Sequence, residues 1–281
     1  MDKVCDTNIW YRLGDGRLQI GQIKAAGDKL LASPVNFMEM ASKLTPDTFR
    51  ERKAAAKAVI DHADEILPDP ERHLASLWEL EVEEIALDWR DGFKAIAEAT
   101  EYSDLEIGVS DFNERVVRTL KPGLAAAWRS QHYNDFVDDV EKLIDRYWPG
   151  YYAARRAGQI KYMGGEMRTL WESATRNPDV VKIVAFGTFQ RAALHCQEIP
   201  PWPGAEQYAQ VWPHVEPVTR AYCQYIYRVG TTYAPKPNDW GDLECFVYLQ
   251  QDRKLLTLDQ RWLDIAADSG LSSHISPPPS P

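Results

Sequence analysis

Short strand-like runs stand at the two ends of this chain, and almost everything between them reads as helix. Lys3-Val4-Cys5 is an apolar run that stops at Asp6-Thr7-Asn8, where Asp or Asn can cap a following helix. Residues 29–33 form a second run, and Pro34 then opens a helix with Val35, Met38 and Leu44 on one face. Near the other end, residues 241–251 predict a helix, with Leu243, Phe246, Val247 and Leu249 apolar. Residues 254–258 (KLLTL) predict a strand, and Trp262, Ile265 and Ala266 give a helical face that stops at Gly270. A last short strand is expected at 273–276, and a disordered tail at 277–281. Strands that alternate with helices specify a parallel sheet in an α/β unit.

Residues 46–235 are punctuated by Pro46-Asp47, Pro68-Asp69-Pro70, Pro122-Gly123, Pro149-Gly150, Asn177-Pro178 and Pro200-Pro201-Trp202-Pro203-Gly204. Between these breaks they read as helical almost throughout, with no internal repeat. The expected organisation is therefore an α/β core from 1–45 plus 236–276, split by an all-helical insertion at 46–235. At 281 residues the chain buries enough surface to fold without a disulfide or a structural metal.

Charge narrows the function. The chain has 32 basic and 42 acidic residues, a net of −10, which excludes a passive nucleic-acid coat but not an enzyme with a local basic groove. Residues 61–114 hold 3 basic and 17 acidic residues, whereas residues 146–191 hold 8 basic and 3 acidic. In the basic stretch Arg155 and Arg156 lie among Tyr147, Trp148, Tyr151, Tyr152, Tyr162 and Trp171, an interleaving that can stack bases and hold phosphates. The competing reading is a helix pair whose aromatics are core. The acidic belt reads as a solvated face or as a mask over the basic stretch. Cys5, Cys196, Cys223 and Cys245 form no CxxC pair and read as reduced core residues. No apolar run is long enough to cross a membrane, and no basic-then-apolar leader opens the chain, so a cytoplasmic location is expected.

The acids carry the chemical signal. Asp6 closes the first strand, Glu39 lies one turn into the helix after the second, Asp242 opens the helix before the KLLTL strand, and Asp259 follows that strand. Ligands of an open parallel sheet bind beyond the carboxyl ends of its strands, so all four can converge. Each alone is an ordinary helix cap. Together their repulsion calls for a hard divalent cation, Mg²⁺ or Mn²⁺, which takes oxygen ligands and supports in-line displacement at phosphorus. The six histidines form no HxxxH or HxxH pair, and no phosphate-binding glycine loop or Gly-x-Ser-x-Gly elbow occurs.

Val4-Cys5-Asp6-Thr7-Asn8-Ile9, Ser33-Pro34-Val35-Asn36-Phe37-Met38-Glu39, Asn238-Asp239-Trp240-Gly241-Asp242-Leu243-Glu244 and Leu255-Leu256-Thr257-Leu258-Asp259 resemble, in order, the acidic motifs of PIN-domain nucleases. The resemblance covers residues 1–45 and 236–281 and none of the insertion, which the compact toxin nucleases of this fold lack. It implies a three-layer α/β/α core and phosphodiester hydrolysis, usually of RNA. Asp6, Glu39, Asp242 and Asp259 become the catalytic and metal-site acids, and Asn8 and Thr257 become polar supports. Asp239 competes with Asp242 for the third position; Asp242 is preferred and Asp239 is set to line the site. The expected function is a Mg²⁺- or Mn²⁺-dependent endoribonuclease acting on single-stranded RNA, with Arg155 and Arg156 binding substrate. Alternatives are a structure-selective DNA nuclease and a catalytically silent PIN-like scaffold that recruits protein partners. A protein partner such as an antitoxin, and a homodimer, stay open.

Overall fold

The structure is a computed structural model that describes residues 1–42, 44–82, 88–119, 138, 140–142, 144–146, 148–236, 238–250 and 252–276. Strand β1 (Asp2–Cys5) leads through α1 (Thr7–Gly14) and α2 (Ile20–Ile23) to β2 (Lys29–Ala32). Helices α3 (Pro34–Ser42) and α4 (Phe49–His62) then lead to β3 (Glu65–Ile66). A helical stretch follows: α5 (Pro70–Leu77), α6 (Trp89–Glu98), α7 (Tyr102–Thr119), α8 (Tyr151–Arg156), α9 (Gly165–Arg176), α10 (Pro178–Ala193) and α11 (Ala205–Thr231). Asp69 and Asn177 cap α5 and α10, each with proline at the first helical position, as the Asp-Pro and Asn-Pro pairs predict. The chain returns through α12 (Asp239–Glu244) and a 3₁₀ turn (Cys245–Tyr248) to β4 (Arg253–Leu256), and ends in α13 (Gln260–Asp268).

The four strands form one all-parallel sheet in the order β3-β2-β1-β4. Successive side chains leave opposite faces, and helices cover both. Val4, Leu31 and Leu255 enter a core built with α5, α10, α11 and α13. Cys5, Leu30, Ala32 and Leu256 enter a second core built with α1, α4, α6 and α7. The chain steps from β1 to β2 to β3 in one direction and places β4 on the other side of β1. The crevice beyond β1 and β4 is therefore the topological switch point, where an open parallel sheet binds ligands.

Several expectations need correcting. Residues 65–66, read within the helical insertion, pair with Leu31 and Ala32 as the edge strand β3, so the insertion is not all helical. Two residues are too few to show an alternating pattern. Helix α4 packs on α1, so the α/β unit continues past residue 45. The helix expected at 241–251 gives way to the 3₁₀ turn after Glu244, and the last strand pairing is Cys5 with Leu256. The strand expected at 273–276 is a 3₁₀ turn (Ser272–His274) plus one parallel bridge from Ile275 to Leu255. The tail at 277–281 lies outside the described residues. All four cysteines are buried, as their reading as core residues expects. Among the described residues, no helix is long and apolar enough to cross a membrane.

Gly14 sits where α1 touches α4. A Cβ there would lie 2.5 Å from the Ala54 carbonyl carbon, which is fixed helix backbone. Gly14→Ala should cost about 1–3 kcal/mol or more, because neither helix can give without dislodging the core. Chemical denaturation checks this; a midpoint equal to wild type would mean that α1 slides freely over α4.

Candidate functional site

Asp6 follows β1 directly and caps α1. Its Oδ2 accepts the Thr257 hydroxyl at 2.7 Å and the Asn8 side-chain amide at 3.4 Å. The same Thr257 oxygen accepts the backbone N–H of Asp259 at 3.1 Å. One buried hydroxyl thus ties the acid after β1 to the acid after β4, across the switch point. Asp259 caps α13. Asn36 fastens the second helix to the same crevice, because its amide donates to Cys5 O at 3.1 Å and Thr7 Oγ1 at 3.0 Å. That holds α3, and with it Glu39, against the end of β1. Glu39 in turn meets α12 closely: a Cβ on Gly241 would lie 3.1 Å from Glu39 Oε1. A larger residue there would make the Glu39 carboxylate give way by a few tenths of an ångström.

Electrostatics bring the four acids together. Burial pushes the Asp242 carboxyl well up, and the charges of Asp6, Glu39 and Asp259 push it further. Burial also raises Asp6, against the hydrogen bonds from Thr257 and Asn8, and the Asp259 charge adds to the rise. Asp259 goes the other way: its burial is outweighed by Arg261, which holds the carboxyl below its usual range. Asp6, Glu39, Asp242 and Asp259 therefore share one field.

Asp239 has a different place. It is 0% exposed and accepts the Tyr225 hydroxyl at 3.1 Å, the Lys236 N–H at 2.8 Å and Arg261 Nη1 at 2.7 Å. All of its partners are protein groups, so it is an anchor at the edge of the site, and Asp242 is the acid of α12 that faces the others. Arg261 was not read from the sequence. Its Nη2 lies 2.8 Å from Asp259 Oδ2 and 3.9 Å from Asp242 Oδ2. The signal was the Asp259-Gln260-Arg261 spacing, which is common at helix starts and carries no chemistry by itself.

Arg155 and Arg156 are engaged elsewhere. Arg155 pairs with Glu141 at 3.0 Å and donates to the Tyr151 hydroxyl at 3.3 Å; Arg156 pairs with Asp138 and lies 4.9 Å over the Tyr152 ring. Tyr151 and Trp171 are core residues. Tyr147 lies outside the described residues. Arg191, in the basic stretch, pairs with Glu71 of the acidic belt at 2.7 Å.

All four site acids are oxygen donors, the set that suits a hard divalent cation. Asp242 is the observation that fits one best, a buried carboxylate raised by three neighbouring acids. The ligand atoms of no three of these acids lie within 4.8 Å of one another; among the described residues Asp69, Glu71 and His195 meet that test. A wider spacing suits Mg²⁺, which keeps several waters and uses one or two carboxylates at a time. The Asp69 trio draws the two sides of α5 and α10 together through Arg191, whose guanidinium already meets Glu71. No histidine pairing was visible in the sequence because these ligands come from distant helices.

Comparison of the chain with protein-family models, curated proteins and solved structures finds no match.

The raised acids set a pH dependence. Burial, opposed by Arg191, pushes Glu244 up to about 7, and Asp242 and Asp6 are raised as well. Each binds its proton more tightly folded than unfolded, so its stabilisation is present at low pH and is lost as pH rises through the folded value. Burial holds His73 down to about 4, which works in the opposite sense only below its ordinary 6.5. Metal-free protein should therefore melt higher at pH 6.5 than at pH 8, by up to about 1.4 kcal/mol per pH unit for each proton taken up. Melting curves in EDTA read this directly, and a Tm that falls on acidification over that range would contradict it.

Proposed function

We propose that the chain is a metal-dependent nuclease with a PIN-like three-layer core, and that single-stranded RNA is its substrate. One observation carries the reading: Asp6, Glu39, Asp242 and Asp259 sense one another's charge at the switch point of an all-parallel sheet. When bound there, Mg²⁺ or Mn²⁺ would activate water and stabilise the charge on the phosphate oxygens. The chain's own groups do the rest. Thr257 and Asn8 hold Asp6 in one orientation. Asp242, raised by burial and by the charges of its neighbours, takes up the proton of the attacking water. The water oxygen bonds to phosphorus, the bond to the leaving oxygen breaks, and that oxygen is protonated from solvent.

A second reading draws on Arg261. A fixed guanidinium among the acids neutralises part of the field that would draw a cation, as suits a scaffold without activity. Labelled single-stranded RNA and DNA incubated with Mn²⁺, with and without EDTA, separate the readings. The nuclease reading expects EDTA-sensitive cleavage of RNA. Cleavage confined to DNA moves the substrate, and no cleavage of either leaves the scaffold.

A further inference from the structure

Behind the acids lies a pocket of about 480 Å³, walled by α10, α11, α12 and Glu71 of α5. Its size is that of a small-molecule site, and most of its wall is apolar. Trp240, Leu243 and Glu244 of α12 face it. At 100° per residue these three lie on one side of the helix, and Asp242 lies on the other. The pocket and the acid site therefore share α12 as a common wall.

Two acceptors of the pocket stand out, Glu244 and Thr219. Glu244 is 4% exposed; its Oε2 takes a hydrogen bond from Arg191, and its Oε1 receives no donor among the described residues. The Thr219 hydroxyl spends its proton on Val215 O at 2.7 Å, which leaves its oxygen to accept. Thr188 donates to Ala185 O at 2.6 Å and already accepts the Trp78 indole N–H at 3.1 Å, so it is satisfied within the protein. Among the described residues, Arg191 is the only cation facing Glu71 and Glu244 in this wall, so the wall has no surplus positive charge to hold a bare phosphate. The pocket thus disfavours an anion and suits a molecule with apolar faces and N–H donors on its edge. Trp240 supplies an aromatic face beside that edge.

We propose that this pocket binds a nucleobase that offers N–H donors to Glu244 and Thr219. A carboxyl oxygen accepts from the amino and ring N–H groups of bases, and an aromatic wall stacks any of them. The ligand class rests on the nuclease reading above; the pocket's shape and its unmet acceptor do not. The base comes either from the strand being cut or from a free nucleotide, and both present the same edge.

Gly187 provides the test. It lines the pocket on α10, and a Cβ there would meet nothing within 4 Å. Gly187→Leu therefore adds bulk to the pocket wall at a position with room for its Cβ, and leucine favours helix more than glycine does. In EDTA, calorimetric titration with guanosine, adenosine, cytidine and uridine should show binding by at least one amino-bearing nucleoside. Gly187→Leu should abolish that binding with Tm unchanged or raised, and Thr219→Val should weaken it about tenfold. Asp6→Asn should bind as wild type does. Binding of no nucleoside, equal binding by Gly187→Leu, or equal binding of a simple alkylammonium each overturns the proposal. Cleavage by wild type without nucleoside binding defeats the pocket and spares the nuclease; binding without cleavage does the reverse. A raised KM for RNA in Gly187→Leu assigns the base to the substrate strand, and an unchanged KM assigns it to a free nucleotide.

Discussion

Asp242→Asn should abolish RNA hydrolysis and raise the melting temperature of the metal-free protein. Both effects come from one cause. The carboxyl is buried, and the charges of Asp6, Glu39 and Asp259 raise it well above the usual range, so its ionisation opposes folding at neutral pH. An amide of nearly the same shape removes that repulsion, and each pKa unit so relieved is worth about 1.4 kcal/mol. The same change removes a cation ligand and the proton acceptor proposed for the attacking water. Loss of several kcal/mol of transition-state stabilisation is a fall in rate of on the order of 100-fold or more. Mn²⁺ should raise the Tm of wild type in a concentration-dependent way and should do so far less in the variant. Asp239→Asn is the control: it should lose stability, because Asp239 is engaged by Arg261, Tyr225 and Lys236. If Asp242→Asn cleaves at the wild-type rate, or melts lower in EDTA, the assignment of Asp242 to the site is wrong.

Arg261→Ala should be among the most destabilising single changes in the chain. Its guanidinium spans Asp239 and Asp259 and comes within 3.9 Å of Asp242. Asp239 is fully buried, so removing the cation leaves a charge with only an N–H and a hydroxyl to hold it. Breaking a buried pair from one side costs about 3–5 kcal/mol, and the partial exposure of Arg261 sets the expectation near 3 kcal/mol. Asp239→Asn in the Arg261→Ala background should recover much of the loss, because the stranded charge is then gone. The acid site gains negative charge when Arg261 is removed, so the Mn²⁺-dependent rise in Tm should grow. A double mutant no more stable than Arg261→Ala would show that the guanidinium acts through packing and not through Asp239. A shrunken Mn²⁺ response would show that the fork positions Asp259 for the cation.

The site was unevenly visible in the sequence. Asp6, Thr257 and Asp259 could be read because each stands next to an apolar run that can only be a strand, and strand ends in a parallel sheet face one crevice. Glu39 and Asp242 could be read as early helix positions. Asp239 and Asp242, three residues apart on one short helix, competed for the third position, and spacing from Asp259 favoured Asp242. The partners of each came only from the structure, with Arg261 and Tyr225 on Asp239 and three acids on the side of Asp242. Asn36 and Arg261 carried no signal, since buried amides and helix-start arginines occur in many folds. Arg155 and Arg156 looked available because their partners, Glu141 and Asp138, lie in a stretch whose packing composition does not show.

The sequence by itself determined the α/β class, the two chain ends that build the crevice and the four acids that meet there. These are properties of period and order: apolar runs set strands, capping residues set helix starts, and a parallel sheet sends its strand ends to one side. Tertiary structure alone decided the strand order, the short edge strand β3, the cation set among the acids and the pocket across α12. Those depend on which distant surfaces touch, and a hydrogen bond between Thr257 and Asp6, 251 positions apart, leaves no mark on the neighbours of either residue.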